Sequence, residues 1–478
     1  VRHLLLALAT TCCLPTAVHA LDLNLPVLGD YSSASVSITE ENRIGDYMLR
    51  RLQGSGSTLD DPALESYVTD ILYQLAPYSN LPNTNLNVVV LDTTELNAFA
   101  VPGALIGINA GMLMYTDNQD QLASVLAHEL SHLSQRHYAL QRAQQERERP
   151  YWIAATIAGI LAGVASGNAD VGGAAVTSSL AANQGRSLAF SRLHEAEADR
   201  IGIAVLANAG FDPQAMPDML SKLQRDYGNS TKVPEMLLSH PLTEKRIADS
   251  QARAATYPRR PHAADTRFLM MQARARVLLN KANQATLSYY QSRVKELPSD
   301  PGGHYGLALT YIERKQPAAA LSELQWLEQK QHDSLLIQAL RARYLAESGQ
   351  GVSAISYLKQ HLALFPDNLM LGRLLAQIYE DQNQLQSARA LLEDLIAAHP
   401  EQAGLWYDLS EVRGKLKDTF GIHDARIEYF LRTASWEDAE RQIRYARSTR
   451  GITVVQNDLL DAKENEVKEW KQWEKDMR

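Results

Sequence analysis

Alanines at 320, 354 and 388 recur every 34 residues. Tyrosines at 311, 344 and 379 keep nearly the same step, 33 and 35, and prolines at 298, 366 and 400 fall 68 and 34 apart with His332 in the middle slot. Everything beyond residue 266 has helical texture. A period of this length is one helix-turn-helix unit, which cannot bury its apolar face alone and must stack on its neighbours. The alanines let paired helices approach closely and the prolines begin the next unit. Residues 266–450 are therefore expected to form an α-helical solenoid. In the tail, 451–478, Leu460, Val467, Trp470 and Glu474 lie near one side of a helix that closes it.

The N-terminal half does not repeat. "TYPRRPHAAD" (256–265) reads as a linker, so 21–255 is expected to be a separate unit. In it, "DDPALESYVTDILYQLA" starts a helix at Asp61-Pro62, "LNVVVLD" reads as a strand, and "NAFAVPGALIGIN" reads as a hairpin turning at Pro102-Gly103. A long helix is expected over about 118–148, stopped by Pro150, and another over about 187–209, ended by Gly210. The Gly/Ala-rich stretch 151–187 holds an apolar run of about fourteen residues, below the roughly twenty that span a bilayer. It reads as a lid-like segment or buried helical hairpin, with peripheral membrane contact as the open alternative.

Residues 1–20 combine Arg2 and His3, an apolar run, and Val18-His19-Ala20, the pattern of a cleaved secretory signal. Both cysteines, Cys12 and Cys13, fall inside it. The processed chain would have no thiol, which suits an oxidising space such as the bacterial periplasm. A net charge of −8 argues against nucleic acid as a partner.

The chemistry concentrates in "SVLAHELSHLSQRHYAL" (124–140). His128 and His132 are four apart, so on a helix both imidazoles leave one face about a turn from each other, and two such nitrogens can hold one Zn²⁺. Glu129 projects about 100° away, off the metal yet near its open side, where a carboxylate can take a proton from water acidified by the ion. His137 lies near the opposite side of the same helix and reads as a surface or helix-end residue. A third ligand must come from elsewhere, and "HEAEAD" (194–199) is the best source. Glu195 and Asp199 share a face, so Glu195 can bind the ion while Asp199 hydrogen-bonds a ligating histidine. Spacing alone leaves the reverse assignment, and His194, open.

"LAHELSH", with "NAFAVPGALIGINAGML" before it and "SRLHEAEADRIG" after it, resembles the HtpX and CAAX-prenyl-protease family of zinc metallopeptidases. That resemblance implies a gluzincin-type domain with a small β-sheet, one Zn²⁺ per subunit, and Glu195 as the third ligand. The overall expectation is an α+β, mainly α, chain whose solenoid is built of tetratricopeptide repeats. His240 and Arg246, in "LLSHPLTEKRI", also fit the family pattern. His240 is read as a fourth ligand that displaces water and holds the enzyme off, with a transition-state donor or a helix-capping histidine as alternatives. Arg246 either steadies an oxyanion or pairs with a carboxylate. The combination of leader, catalytic unit and repeats resembles the family's soluble periplasmic members. It implies an endopeptidase with chaperone-like activity that helps assemble outer-membrane β-barrel proteins or degrades misassembled ones. Its partners would be the assembly machinery and unfolded or stalled barrel clients. The alternative is a scaffold that works through its repeats and carries a latent protease.

Overall fold

A computed structural model describes residues 36–81, 83–143, 191–228, 233–260, 265–330 and 334–477. The leader 1–20 and the segment 151–187 lie outside the described residues.

The described residues open with helix α1 (Ile38–Gly54), for which the sequence analysis had no counterpart; Ser37 caps it by accepting from Glu40 N–H. Helix α2 (Pro62–Leu75) starts as expected, with the Asp61 carboxylate accepting from Leu64 N–H. Three strands follow, β1 (Asn87–Leu91), β2 (Ala98–Val101) and β3 (Leu105–Asn109), in the order β1-β3-β2. β1 runs parallel to β3, and β2 pairs antiparallel with it as the hairpin turning at Pro102-Gly103. Gly107 sits opposite Phe99, whose ring fills the space a side chain there would need: a Cβ would lie 2.1 Å from its Cζ.

After α3 (Ala110–Tyr115) comes α4 (Gln119–Ser134), capped by Asn118 and bearing His128 and His132. Residues 120–131 are all buried, so α4 is a central rod rather than a helix with one buried face. The expected uninterrupted helix over 118–148 is not what forms. α4 stops at Ser134, Arg136 adopts φ 50°, and α5 resumes over 137–143. The break is held from outside: Arg136 donates to Glu41 of α1 and to the Val36 carbonyl.

Helix α6 covers 191–209 and ends where Gly210 takes φ +93°. At Gly202 it lies directly on α4, where a Cβ would approach the Ala127 backbone to 3.4 Å and Met216 Cε to 2.9 Å. The close contact at this glycine brings the carboxylates one and two turns earlier over His128. Helices α7 (Ala215–Tyr227), α8 (Glu235–Ser239) and α9 (Glu244–Ala254) finish this half, with a break at His240-Pro241-Leu242 before the Thr243 cap.

The solenoid follows as α10 (Thr266–Leu279), α11 (Gln284–Glu296), α12 (Pro301–Glu313), α13 (Pro317–Lys330), α14 (Leu335–Glu347), α15 (Gly351–Leu362), α16 (Leu369–Asp381), α17 (Leu385–Ala398), α18 (Ala403–Lys415), α19 (Thr419–Arg432) and α20 (Trp436–Arg447), ending in α21 (Val454–Met477). Ala320, Ala354 and Ala388 are each fully buried, as close helix pairing requires. The core is continuous across the sequence boundary near 256–265: Leu64, Tyr67, Met270 and Met271 belong to one apolar cluster. The far end of the solenoid returns to α1, where Arg50 donates to the Leu431 carbonyl and both Arg43 and Arg50 lie over the Trp470 ring. Between the two halves is a cavity of about 1210 Å³ lined by α2, the outer edge of β1 and solenoid residues. No helix among the described residues is long and apolar enough to cross a membrane.

Candidate metal centre

Four side chains from three elements converge. His128 and His132 come from α4, Glu195 from α6, and His240 from the break between α8 and α9; one donor atom from each lies within 4.8 Å of all the others. His128 Nε2 is 3.1 Å from His132 Nε2 and 3.4 Å from Glu195 Oε2, and His132 Nε2 is 3.4 Å from Glu195 Oε1. His240 Nδ1 lies 3.0 Å from Glu195 Oε1 and 3.4 Å from His128 Nε2. Lone pairs facing one another at such distances suit a shared cation, and two or three imidazoles with one carboxylate form the donor set of a divalent transition ion.

Behind these atoms stands a ring of partners. Asp199 Oδ1 lies 3.0 Å from His128 Nδ1. Arg246 grips Asp199 with two arms, at 2.7 and 2.8 Å, reaches Glu195 at 2.8 Å and donates to the Pro241 carbonyl. With 5% of its surface exposed, Arg246 is placed as a clamp on the two carboxylates. Glu129 is 1% exposed; Ala100 N–H of β2 hydrogen-bonds its carboxylate, and its Oε1 is buried with no hydrogen-bond partner among the described residues. His240 Nε2 lies 3.6 Å from that oxygen.

Electrostatics follow from this crowding. Burial opposes a charge on His128, but Asp199 and Glu195 outweigh it and raise its pKa to about 10. Burial and the charge on His128 together hold His132 well below the ordinary histidine range. Glu195 is buried too, yet its bonds to His128 and His240 keep it far more acidic than a free glutamate. Glu129 moves the other way, its pKa raised by burial.

Of the two readings for His137, surface or helix end, the structure places it at a helix end, as the first residue of α5, but not at the surface. It is 4% exposed, its Nδ1 sits 2.9 Å from His132 Nδ1, and its ring stacks on His194 at 4.1 Å. A continuous helix would have sent it elsewhere, and the left-handed Arg136 returns it to the site. His194 accordingly sits behind His137 rather than among the four converging donors. The cleft in front of the cluster encloses about 330 Å³ and is bordered by Phe99, Ala100 and Pro102 of the hairpin. Asn109 N–H donates to the Asn97 carbonyl, so Asn97, Phe99 and Val101 face β3, while Ala98 and Ala100 turn their backbone groups outward.

The model of peptidase family M48 matches residues 62–254, and a tetratricopeptide-repeat model matches 345–410. The beta-barrel assembly-enhancing protease of Escherichia coli (strain K12) is 31% identical over 447 residues, which is 93% of this chain and 91% of that protein. The chain belongs to peptidase family M48, in the group of the beta-barrel assembly-enhancing proteases. A putative member of that group from Vibrio cholerae serotype O1 is also 31% identical, over 92% of this chain and 91% of its own. The mitochondrial metalloendopeptidase OMA1 of Schizosaccharomyces pombe is 31% identical over 182 residues, which is 38% of this chain and 50% of that protein. Relatives of this second kind are similar to only part of this chain. As an M48 metallopeptidase the chain is metal-dependent, and the buried cluster around His128 provides a possible metal site.

Proposed function

We propose that this chain is a zinc endopeptidase of the periplasm that acts on outer-membrane β-barrel proteins during their assembly, cleaving clients that stall or misassemble and assisting others as a chaperone. The observation that carries the enzymatic part is the convergence of His128, His132 and Glu195 beside a buried Glu129. The client class and the compartment rest on the names of the relatives that span most of the chain and on the leader-like residues 1–20. The repeats are the proposed contact to the assembly machinery.

His128, His132 and Glu195 would hold the ion. A divalent ion there supplies a Lewis acid that acidifies water and polarises the scissile carbonyl. Glu129 takes the proton from the attacking water and delivers it to the leaving amine. Asp199 fixes the His128 ring through Nδ1, and Arg246 holds Asp199 and Glu195 in place rather than reaching for an oxyanion. The outward backbone groups of Ala98 and the Ala100 carbonyl, the Ala100 N–H being held by Glu129, offer an edge to which an extended client segment can add as a strand. That requirement favours unfolded chains over folded ones.

His240 is the proposed fourth ligand and brake, a reading supported by its Nδ1 lying among the other donors. His240→Ala should raise cleavage of an unfolded barrel protein; a fall would instead make it a transition-state donor. Glu129→Gln should keep metal binding and lose at least about 100-fold in cleavage. If Glu129→Gln cleaves normally, the peptidase assignment to this site is wrong. If it is inactive yet fully supports barrel assembly in cells, the scaffold reading replaces the protease reading.

A further inference from the structure

We infer that His137 is a positioning residue for His132, the acceptor that fixes which nitrogen of His132 faces the ion. This rests on the metal reading above and extends it to a residue outside the His-Glu-x-x-His spacing.

His132 Nε2 faces the cluster, 3.1 Å from His128 Nε2 and 3.4 Å from Glu195 Oε1. Its other nitrogen, Nδ1, points away and meets His137 Nδ1 at 2.9 Å. Two ring nitrogens that close must share one proton, with one donating and the other accepting. For His132 to ligate through a bare Nε2, its Nδ1 must carry the proton. His137 Nδ1 is then the acceptor, and His137 carries its own proton on Nε2. That nitrogen faces Glu197 Oε2 at 3.4 Å, so one assignment of protons satisfies the whole row from His132 through His137 to Glu197. His128 has the equivalent support directly, from Asp199 at 3.0 Å. The two ligands on α4 are thus oriented by different means, one by a carboxylate and one by an imidazole backed by a carboxylate.

The placement depends on the break in the helix. Five residues along an unbroken helix is about 500°, which would leave His137 roughly 140° around from His132. Arg136, at φ 50° and tied to Glu41 and the Val36 carbonyl, reverses the chain so that His137 returns beside the ligand. On its far face His137 stacks on His194, the residue before Glu195. The competing explanation is that His137 only fills space there.

Two substitutions in the full chain separate these roles. His137→Phe keeps a ring to stack and removes the acceptor. His137→Asn shortens the side chain and places an amide oxygen near where Nδ1 was. Zinc affinity is measured by chelator competition, and the cobalt-loaded proteins are compared by their visible absorption. Loss of an oriented partner typically weakens metal binding by about 10- to 100-fold. We expect that loss and an altered cobalt spectrum for His137→Phe, with His137→Asn staying within about threefold of the parent. Unchanged affinity in His137→Phe, or equal loss in both variants, overturns the inference. ¹⁵N spectra of the zinc-loaded parent give a test independent of variant folding. They should show a protonated Nδ1 on His132 and a protonated Nε2 on His137, and the opposite tautomers overturn the assignment. A parent chain that binds no zinc overturns the metal reading and this inference with it.

Discussion

Replacing Asp61 tests how firmly the peptidase half is fastened to the solenoid. Asp61 does two jobs. Its Oδ1 accepts from Leu64 N–H at 3.0 Å, capping α2, and its two oxygens meet Arg274 Nε and Nη2 of α10 at 2.8 and 2.7 Å. Asp61 is 6% exposed, and Arg274, also largely buried, spends its remaining arm on the Tyr305 hydroxyl. Losing a carboxylate cap costs about 1 kcal/mol. Stranding a buried guanidinium costs a further ~3–5 kcal/mol, so Asp61→Ala should lose about 4–6 kcal/mol. Asp61→Asn keeps a capping oxygen and loses the charge, so most of the deficit, about 3 kcal/mol, should remain. In the double variant Asp61→Ala/Arg274→Met no charge is stranded, and much of the loss should return. Urea denaturation followed by far-ultraviolet circular dichroism and tryptophan fluorescence reads all three, with coincident probes confirming that both halves unfold together. The sign with pH is also set. Burial works against ionised Asp61, yet Arg274 holds its pKa below the ordinary value. The stabilisation is therefore complete above the unfolded pKa near 3.9 and is lost as pH falls through the lower folded value. If Asp61→Asn unfolds within about 1 kcal/mol of the parent, the pair is not a desolvated fastening and the reasoning fails.

Glu65 behaves oppositely, since burial beside Asp60 and Asp61 raises its pKa to about 8; stability should fall as pH rises from about 4.5 through 8, and Glu65→Gln should flatten that slope in urea titrations at several pH values. Gly107→Ala drives a Cβ into the Phe99 ring, so about 1–3 kcal/mol of stability should go, and cleavage should drop with it as β2 shifts against Glu129. Asp199→Asn removes a charged partner from both His128 and Arg246, and zinc affinity by chelator competition should weaken about 10- to 100-fold. Trp470→Ala removes the ring under Arg43 and Arg50 that stacks on Trp436; hydrogen exchange over 38–54 should quicken, and unchanged protection there would show that α1 is held by other contacts.

Much of this molecule follows from spacing along the chain. The 34-residue recurrence of alanine specifies paired helices because only a small side chain fits where two backbones cross, and Ala320, Ala354 and Ala388 are buried there. The four-residue step from His128 to His132 aims two imidazoles at one point because a helix turns once in that interval. The cap at Asp61 and the hairpin at Pro102-Gly103 are equally local. Features that depend on distant partners were not legible in the same way. Helix α1 has local signals that the sequence analysis did not use, Ser37 with Glu40 and Glu41 in the first turn, but its place is set by what it touches: the hairpin turn, Arg136 and the returning end of the solenoid. The end of α4 carries no glycine or proline, and its left-handed Arg136 is held by Glu41, 95 residues away. With the bond to the Val36 carbonyl, that contact goes with a break that leaves His137 buried beside His132 rather than on a longer helix. Helical period places residues relative to their own axis, whereas the break, the clamp of Arg246 and the meeting of three elements at Glu195 depend on how separate axes pack, which only the folded chain settles.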